Sequence, residues 1–424
     1  MTVILLLNNQ IMNLIKSFLF LGVVLCILSG CDKVESDTYY KTTIPIFEKM
    51  SVVRKQMTSV VAPQPVEQTG KIYIFKDYLF INEPMKGIHI FNNVNPANPT
   101  ALSFLNIPGN VDMAVKDNVL YADSYVDLLT FDLSNPGKPI LLNRVEEVFK
   151  NVYQYNYETK SLQDVVLRYV DTVLNKSDFH KYNPYVSHQY SNSENFNSGG
   201  SYGQGGSMAR FTLAKEHLYA VDNSSLNLFD VSDKTKPVFS KNIKLGWGIE
   251  TIFPYKNNLF IGTNSGMYIY NIDDAAQPKE LSRYEHARAC DPVVVNDDYA
   301  FVTLRTGAAC AGKVNVLEVV DIKDLTKPKL LKTFQMQNPH GLGLASDVLY
   351  ICEGQFGFKS FDAKDVTKVG DMPLEHLAQL NSTDVIPGPK SLIVIGENGV
   401  CQYDYSDKAK LKLLSCISVK TLVD

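Results

Sequence analysis

One pattern recurs along the chain and restricts its fold more than any other feature. An acidic or Asn-containing turn precedes an apolar strand ending in Tyr or Phe, then a second strand ending in an aromatic-Asp pair, then a Pro-bounded loop. A clear copy runs from Lys116-Asp-Asn-Val-Leu-Tyr121 to Phe131-Asp-Leu-Ser-Asn-Pro-Gly-Lys-Pro139. Others pair 76–80 with 93–99, 215–219 with 229–237, 256–260 with 270–278, and 297–301 with 320–328. Degenerate copies at 346–350 with 361–365 and 390–394 with 403–407 bring the count to seven.

The closing prolines Pro99, Pro139, Pro237, Pro278 and Pro328 are separated by 40, 98, 41 and 50 residues. A period near 40 with four short strands is the length of a propeller blade. The expected fold is all-β: a single β-propeller of seven four-stranded blades over residues 71–419. The 98-residue gap holds one blade plus a helical and low-complexity insertion, residues 150–209, between blades 2 and 3. In each blade a first strand such as Val111–Val115 lines the axis. The second and third are continuously apolar, as strands covered on both faces must be. Asp132, Asp230, Asp321 and Asp362 follow the third strand, where an Asx turn needs a short acceptor, so they are read as structural.

Val316-Leu-Glu-Val-Val-Asp321 followed by Pro328, and Leu128-Leu-Thr-Phe-Asp132 with Ser134-Asn-Pro136, resemble LVIVD repeats, a propeller-forming repeat of bacterial exported proteins. The resemblance covers nearly all of 71–419 and extends to lipobox-bearing envelope lipoproteins with this repeat. It implies fold and location and carries no set of catalytic residues.

The N-terminus points the same way. Lys16 is the one ionised side chain between Met1 and Gly30, and it precedes the apolar run Phe18 to Leu28, so residues 1–30 read as a signal peptide. Leu28-Ser29-Gly30-Cys31 matches the bacterial lipobox, which implies a lipoprotein acylated at Cys31, with the membrane as a partner through that lipid. Residues 31–70 are then an acidic tether and linker. The acidic stretch Asp32 to Asp37 resembles a surface-export signal and reads equally as a solvated spacer, so the expected location is the outer membrane, facing the periplasm or, on the export reading, outward. Of seven Cys, five remain after Cys26 and Cys31, an odd number in an oxidising compartment. A disulfide between Cys290 and Cys310 is expected to staple the loop Arg305-Thr-Gly-Ala-Ala-Cys-Ala-Gly312. Cys401 and Cys416 face each other across a hairpin, as a disulfide or as packed small apolar groups.

Net charge is -4, from 41 basic and 45 acidic residues, which argues against nucleic acid as a partner. Within the insertion, Leu162, Val165, Val166, Tyr169, Val170 and Val173 fall at helical spacing, so one amphipathic helix is expected from 160 to 174. Ser191 to Ser207 is Asn/Ser/Gly-rich and reads as a mobile linker. The repeats on either side look complete without residues 151–209. Connections between blades emerge on the face that also carries the loops between second and third strands, so the insertion and Arg305 share one rim. That face is the candidate ligand-binding surface, with Asp112, Trp247, Asp291, Arg305 and His340 as its candidate residues. Trp247 between two glycines is suited to stack on a sugar or peptide. No catalytic, metal-ligand or cofactor motif occurs, and no cofactor is implied. Two classes of function follow: a non-catalytic binding module for a glycan, a protein or an envelope complex, or a carbohydrate-active hydrolase or lyase with an axial acidic site.

Overall fold

Strands that are apolar on both faces need cover on each side, and the chain supplies it with seven four-stranded antiparallel blades. A computed structural model describes residues 39–420 apart from 56–57, 157–158, 160, 176–177, 179–203, 287–291, 307–313 and 398. The chain forms two compact units, residues 1–44 with 170–187, and residues 45–169 with 188–424. In the first, the Thr43 hydroxyl donates to Asp171 at 2.8 Å. The second is the propeller. Its blades span 72–106, 113–145, 211–244, 249–285, 293–335, 342–377 and 382–418, each ordered from an innermost to an outermost strand. Blade 2 is typical: Met113–Lys116, Val119–Ser124, Asp127–Asp132 and Ile140–Val145. Leu120, Tyr121, Ala122, Leu128, Leu129 and Phe131 in its middle strands are at most 1% exposed, whereas Ile140 on the outermost strand is 62% exposed. Each large side chain so buried contributes about 1.5–3 kcal/mol.

The loop after the third strand is rigid for a local reason. Asn92, Asp132, Asp230, Asn271, Asp321, Asp362 and Asp404 each accept the backbone N–H two residues ahead, at 2.8 to 3.0 Å. Three residues later Asn95, Asn135, Asp233, Asp274, Asp324, Asp365 and Asp407 do the same at 2.9 to 3.1 Å. Every blade therefore turns through two consecutive Asx turns, and the aspartates expected to be structural are so.

All four strands of blade 7 come from one continuous stretch, so no strand from the other end of the chain completes that blade. Ile72, Ile74, Leu79, Ile81 and Phe91 of blade 1 pack against Ile386, Ile393, Ile395 and Val400 of blade 7. Asn93 and Gln402 are buried in that seam and exchange two side-chain hydrogen bonds, at 3.0 and 2.7 Å. Outside it, the Ser415 hydroxyl donates to the Pro96 carbonyl at 2.6 Å. The segment before blade 1 straps the same seam: Ser59–Val61 adds to the outermost strand of blade 1, and Val66 bridges to Val419.

Several expectations are corrected. Residues 39–66, expected to belong to the tether and linker, form the strand Tyr39–Lys49, the short helix Met50–Val53 and the strap. The expected helix at 160–174 is instead the strand Ser161–Asn175, whose start pairs with Gln154–Asn156. Its apolar spacing fits both periods, but Val165, Val166, Val170, Thr172 and Val173 are β-branched and favour a strand once an edge is offered. Within the expected mobile linker, Gln204 and Gly205 form a strand inside the propeller. Cys290 and Cys310 lie outside the described residues. Among the described residues no helix is long and apolar enough to cross a membrane; the expected signal peptide and Cys31 also lie outside them.

Cys401 and Cys416 stand directly opposite in blade 7, Cα–Cα 4.0 Å, and form a disulfide spanning 15 residues. A loop of that length is worth about 3 kcal/mol in the chain-entropy account. Cys401→Ser/Cys416→Ser should lower the guanidinium midpoint accordingly; a midpoint equal to that of the oxidised protein contradicts this.

Candidate functional site

The innermost strands surround an axial channel, and part of it is filled by the chain itself. Gln204 and Gly205 pair antiparallel with the axial edge of blade 1, opposite Ile74 and Tyr73. Ser207, Met208 and Ala209 follow, each no more than 4% exposed. This segment bonds to blades all around the ring. Leu342 of blade 6 donates its N–H to the Ser207 hydroxyl at 2.9 Å, and that hydroxyl lies 3.4 Å from the Asp384 carboxylate of blade 7. Ile252 of blade 4 donates its N–H to the Ala209 carbonyl at 2.8 Å. The buried Lys71 ammonium, beside blade 1, donates to the Met208 carbonyl at 2.6 Å. Asp112, beside blade 2, accepts the Arg210 N–H at 2.6 Å. Burial pushes the Asp112 carboxyl up, and the Lys71 charge opposes this most strongly. Residues 204–209 are thus an axle, and removing all of 151–209 would take it out along with the rim insertion.

Below the axle the channel opens into a pocket of about 560 Å³. Its wall is the axial side of blades 3 to 7: Leu213, Phe253, Val294, Leu344 and Ile386 are among its apolar residues, with Tyr255, Lys215 and Lys256 toward the strand ends. No carboxylate lines it among the described residues.

The candidate residues are dispersed by the fold. Asp112 serves the axle. His340 lies on the loop face within the field of Arg305: the Thr303 hydroxyl donates to the His340 carbonyl at 2.6 Å, and the imidazole lies 3.1 Å from the Asn338 amide. Burial, with the Arg305 charge adding to it, lowers the His340 pKa to about 3, so the ring is neutral at physiological pH. Asp291 lies outside the described residues.

Trp247 stands apart on the connection from blade 3 to blade 4 and is 83% exposed. Its loop is braced on both sides. Gly248 donates its N–H to the Asn223 carbonyl at 2.9 Å and accepts the Asn264 N–H at 2.7 Å. The φ angle at Gly248 is +87°, and a Cβ there would sit 2.3 Å from the Asn264 side chain, so any other residue would be strained and would displace that amide. Tyr268 donates to the Leu245 carbonyl at 2.7 Å, and the Arg283 guanidinium covers its ring at 4.6 Å.

The same face of blade 2 carries the N-terminal segment. Arg54 makes a bidentate pair with the buried Asp127, two bonds of 2.8 Å, and Arg144 adds a third at 2.8 Å. Burial alone would raise the Asp127 carboxyl; the Arg54 bonds, the Glu147 N–H and Arg144 hold it below the ordinary range. Met50 and Val53 pack with Tyr125, Val126 and Val165 beside this cluster.

The ring of seven blades, each built on four antiparallel strands, makes the protein a seven-bladed β-propeller. A family model for the LVIVD repeat matches residues 109–147, which include all of blade 2, so the chain carries an LVIVD repeat. No curated protein matches it. Among solved structures it is similar to a protein from Lactobacillus plantarum, at 12% identity and a TM-score of 0.53, covering 82% of this chain and 96% of that one. It is likewise similar to a functionally unknown protein from Desulfotomaculum acetoxidans DSM 771, at 10% identity and a TM-score of 0.50, covering 81% of this chain and 95% of that one. The computationally designed Ika8 protein matches at 10% identity and a TM-score of 0.50, over 84% of this chain and 89% of its own. At such identities the likeness is one of fold alone.

Sequence reasoning missed Lys71, Ser207 and Met208, because Ser207 stands in a stretch whose composition signals a linker and Lys71 resembles any surface lysine. Lys71→Met removes the donor to a buried carbonyl and the cation that most favours the charged form of Asp112. A loss of about 1–3 kcal/mol in denaturant unfolding is expected, and an unchanged midpoint would show that the axle is not held this way.

Proposed function

We propose that the protein is a lipid-anchored envelope propeller, held to the outer membrane through Cys31 and facing outward. In this reading it acts as a non-catalytic binding module, presenting its insertion-bearing loop face to a glycan or a protein. The observation that carries the reading is Trp247: a large aromatic ring 83% exposed on a loop that its own backbone bonds hold in place. A pre-organised aromatic ring offers large contact area and binds with little loss of entropy. Tyr268 and Arg283, beside the same loop, add the stacking and planar donor surface that sugars and peptides take. The carbohydrate-active alternative draws less support, since Asp112 is engaged in the axle and the axial pocket wall carries no carboxylate among the described residues.

Trp247 is the one Trp in the chain, so intrinsic tryptophan fluorescence reports on this loop alone. Titration with linear glucan and chitin oligosaccharides, peptidoglycan fragments and solubilised envelope proteins should shift its emission for at least one of these. Trp247→Ala should then weaken binding of that ligand at least tenfold with unchanged circular dichroism. Equal binding by the variant, or no emission change with any of them, counts against the loop face.

The anchor has its own test. Two or three acyl chains, at about 0.8 kcal/mol per buried CH₂, hold a protein on a membrane stably. Cys31→Ala should move the protein out of the membrane fraction or leave its signal peptide uncleaved; salt-resistant membrane association without lipid labelling would overturn the anchor.

A further inference from the structure

The axle also shows how the channel recognises a chain. In each of blades 3 to 7 the innermost strand is the last member of its sheet, so its axial edge has no neighbouring strand among the described residues. Successive residues of an antiparallel strand direct their N–H and C=O groups to alternate sides. Ile252 of blade 4 and Leu342 of blade 6 direct theirs to the axis, and the axle meets them there through the Ala209 carbonyl and the Ser207 hydroxyl. Two residues further along the same strands are Pro254 and Leu344, both on the pocket wall. By the same alternation, the Leu344 N–H and C=O and the Pro254 carbonyl face the pocket. Its buried wall is apolar, from Leu213, Val294 and Ile386, while Lys215, Tyr255, Lys256 and Asn257 stand toward the strand ends.

A wall of strand-edge main-chain groups set among apolar side chains is matched poorly by a hydrocarbon, which would leave those groups dry and unpaired. An extended peptide matches it, because it brings its own alternating N–H and C=O groups and small side chains. We propose that the axial pocket is a peptide-binding site, taking an extended segment of small apolar residues by main-chain hydrogen bonds to the innermost strands of blades 4 and 6, beneath the axle. About 560 Å³ lies within the range of sites for compact ligands. A segment of about four residues, roughly 13 Å long when extended, is the size considered. This site is separate from the Trp247 loop and does not depend on it.

Isothermal titration of the full chain with acetyl-Val-Ala-Val-Ala-amide tests the proposal against two comparison probes, the same peptide N-methylated at alternate amides and decanol. The unmodified peptide should bind, and the N-methylated one should bind at least tenfold more weakly. Ala214→Phe or Leu344→Phe, each of which fills the pocket, should weaken binding at least tenfold; two variants are used in case one fails to fold, with circular dichroism as the check. Equal binding of the N-methylated peptide, preference for decanol, indifference to both filling variants, or no peptide binding at all would each overturn the proposal.

Discussion

A blade whose second and third strands are apolar on both faces cannot exist alone, and this constraint organises the molecule. Each blade gains cover only from its neighbours, so the array is stable only if its ends meet. The seam between blades 7 and 1 therefore carries the ring. It is built from the same aliphatic packing as the other blade contacts, and it adds the reciprocal Asn93 and Gln402 amides, buried and mutually satisfied. Such a pair costs little when intact and much when either partner is missing, so it favours one register of closure over a slipped one. The strap from Ser59 to Val66 then crosses the outside of that seam.

Closing a ring of radial sheets leaves a second problem at the centre, where main-chain edges face one another with no strand between them. The chain answers part of it with its own residues 204–210, which meet buried donors and acceptors from blades 1, 2, 4, 6 and 7. The buried Lys71 and Asp112 are tolerable there because opposite charge and main-chain partners lie close by. Two features are thereby set apart: a braced aromatic loop carrying Trp247, and an edge-lined pocket below the axle.

Much of the fold was legible in the sequence, and particular residues show why. The Asx turns could be read because the Asp or Asn two residues before its bonded N–H is a purely local arrangement, repeated at a fixed interval. Trp247 was legible as a candidate because two flanking glycines mark a loop and a large aromatic ring there is out of place. The strand Ser161–Asn175 was not, since its Val and Tyr residues satisfy a helical and an extended spacing alike, and the choice rests on pairing partners far away in sequence. The Cys401 and Cys416 pairing was half legible: symmetry about a turn set them opposite, but only the register of blade 7 makes them direct partners.

What the sequence determined by itself was the repeating unit: the number of blades, their strand order and their turns, because each depends on contacts within about forty residues. The tertiary structure alone decided what happens at the axis. Gln204 to Ala209 is a polar, Gly-rich stretch with no periodicity of its own, and its place in the channel follows from unpaired strand edges contributed by blades that are distant in the chain. Ser207 and Asp384 lie far apart along the chain and side by side in space, and no local pattern encodes that.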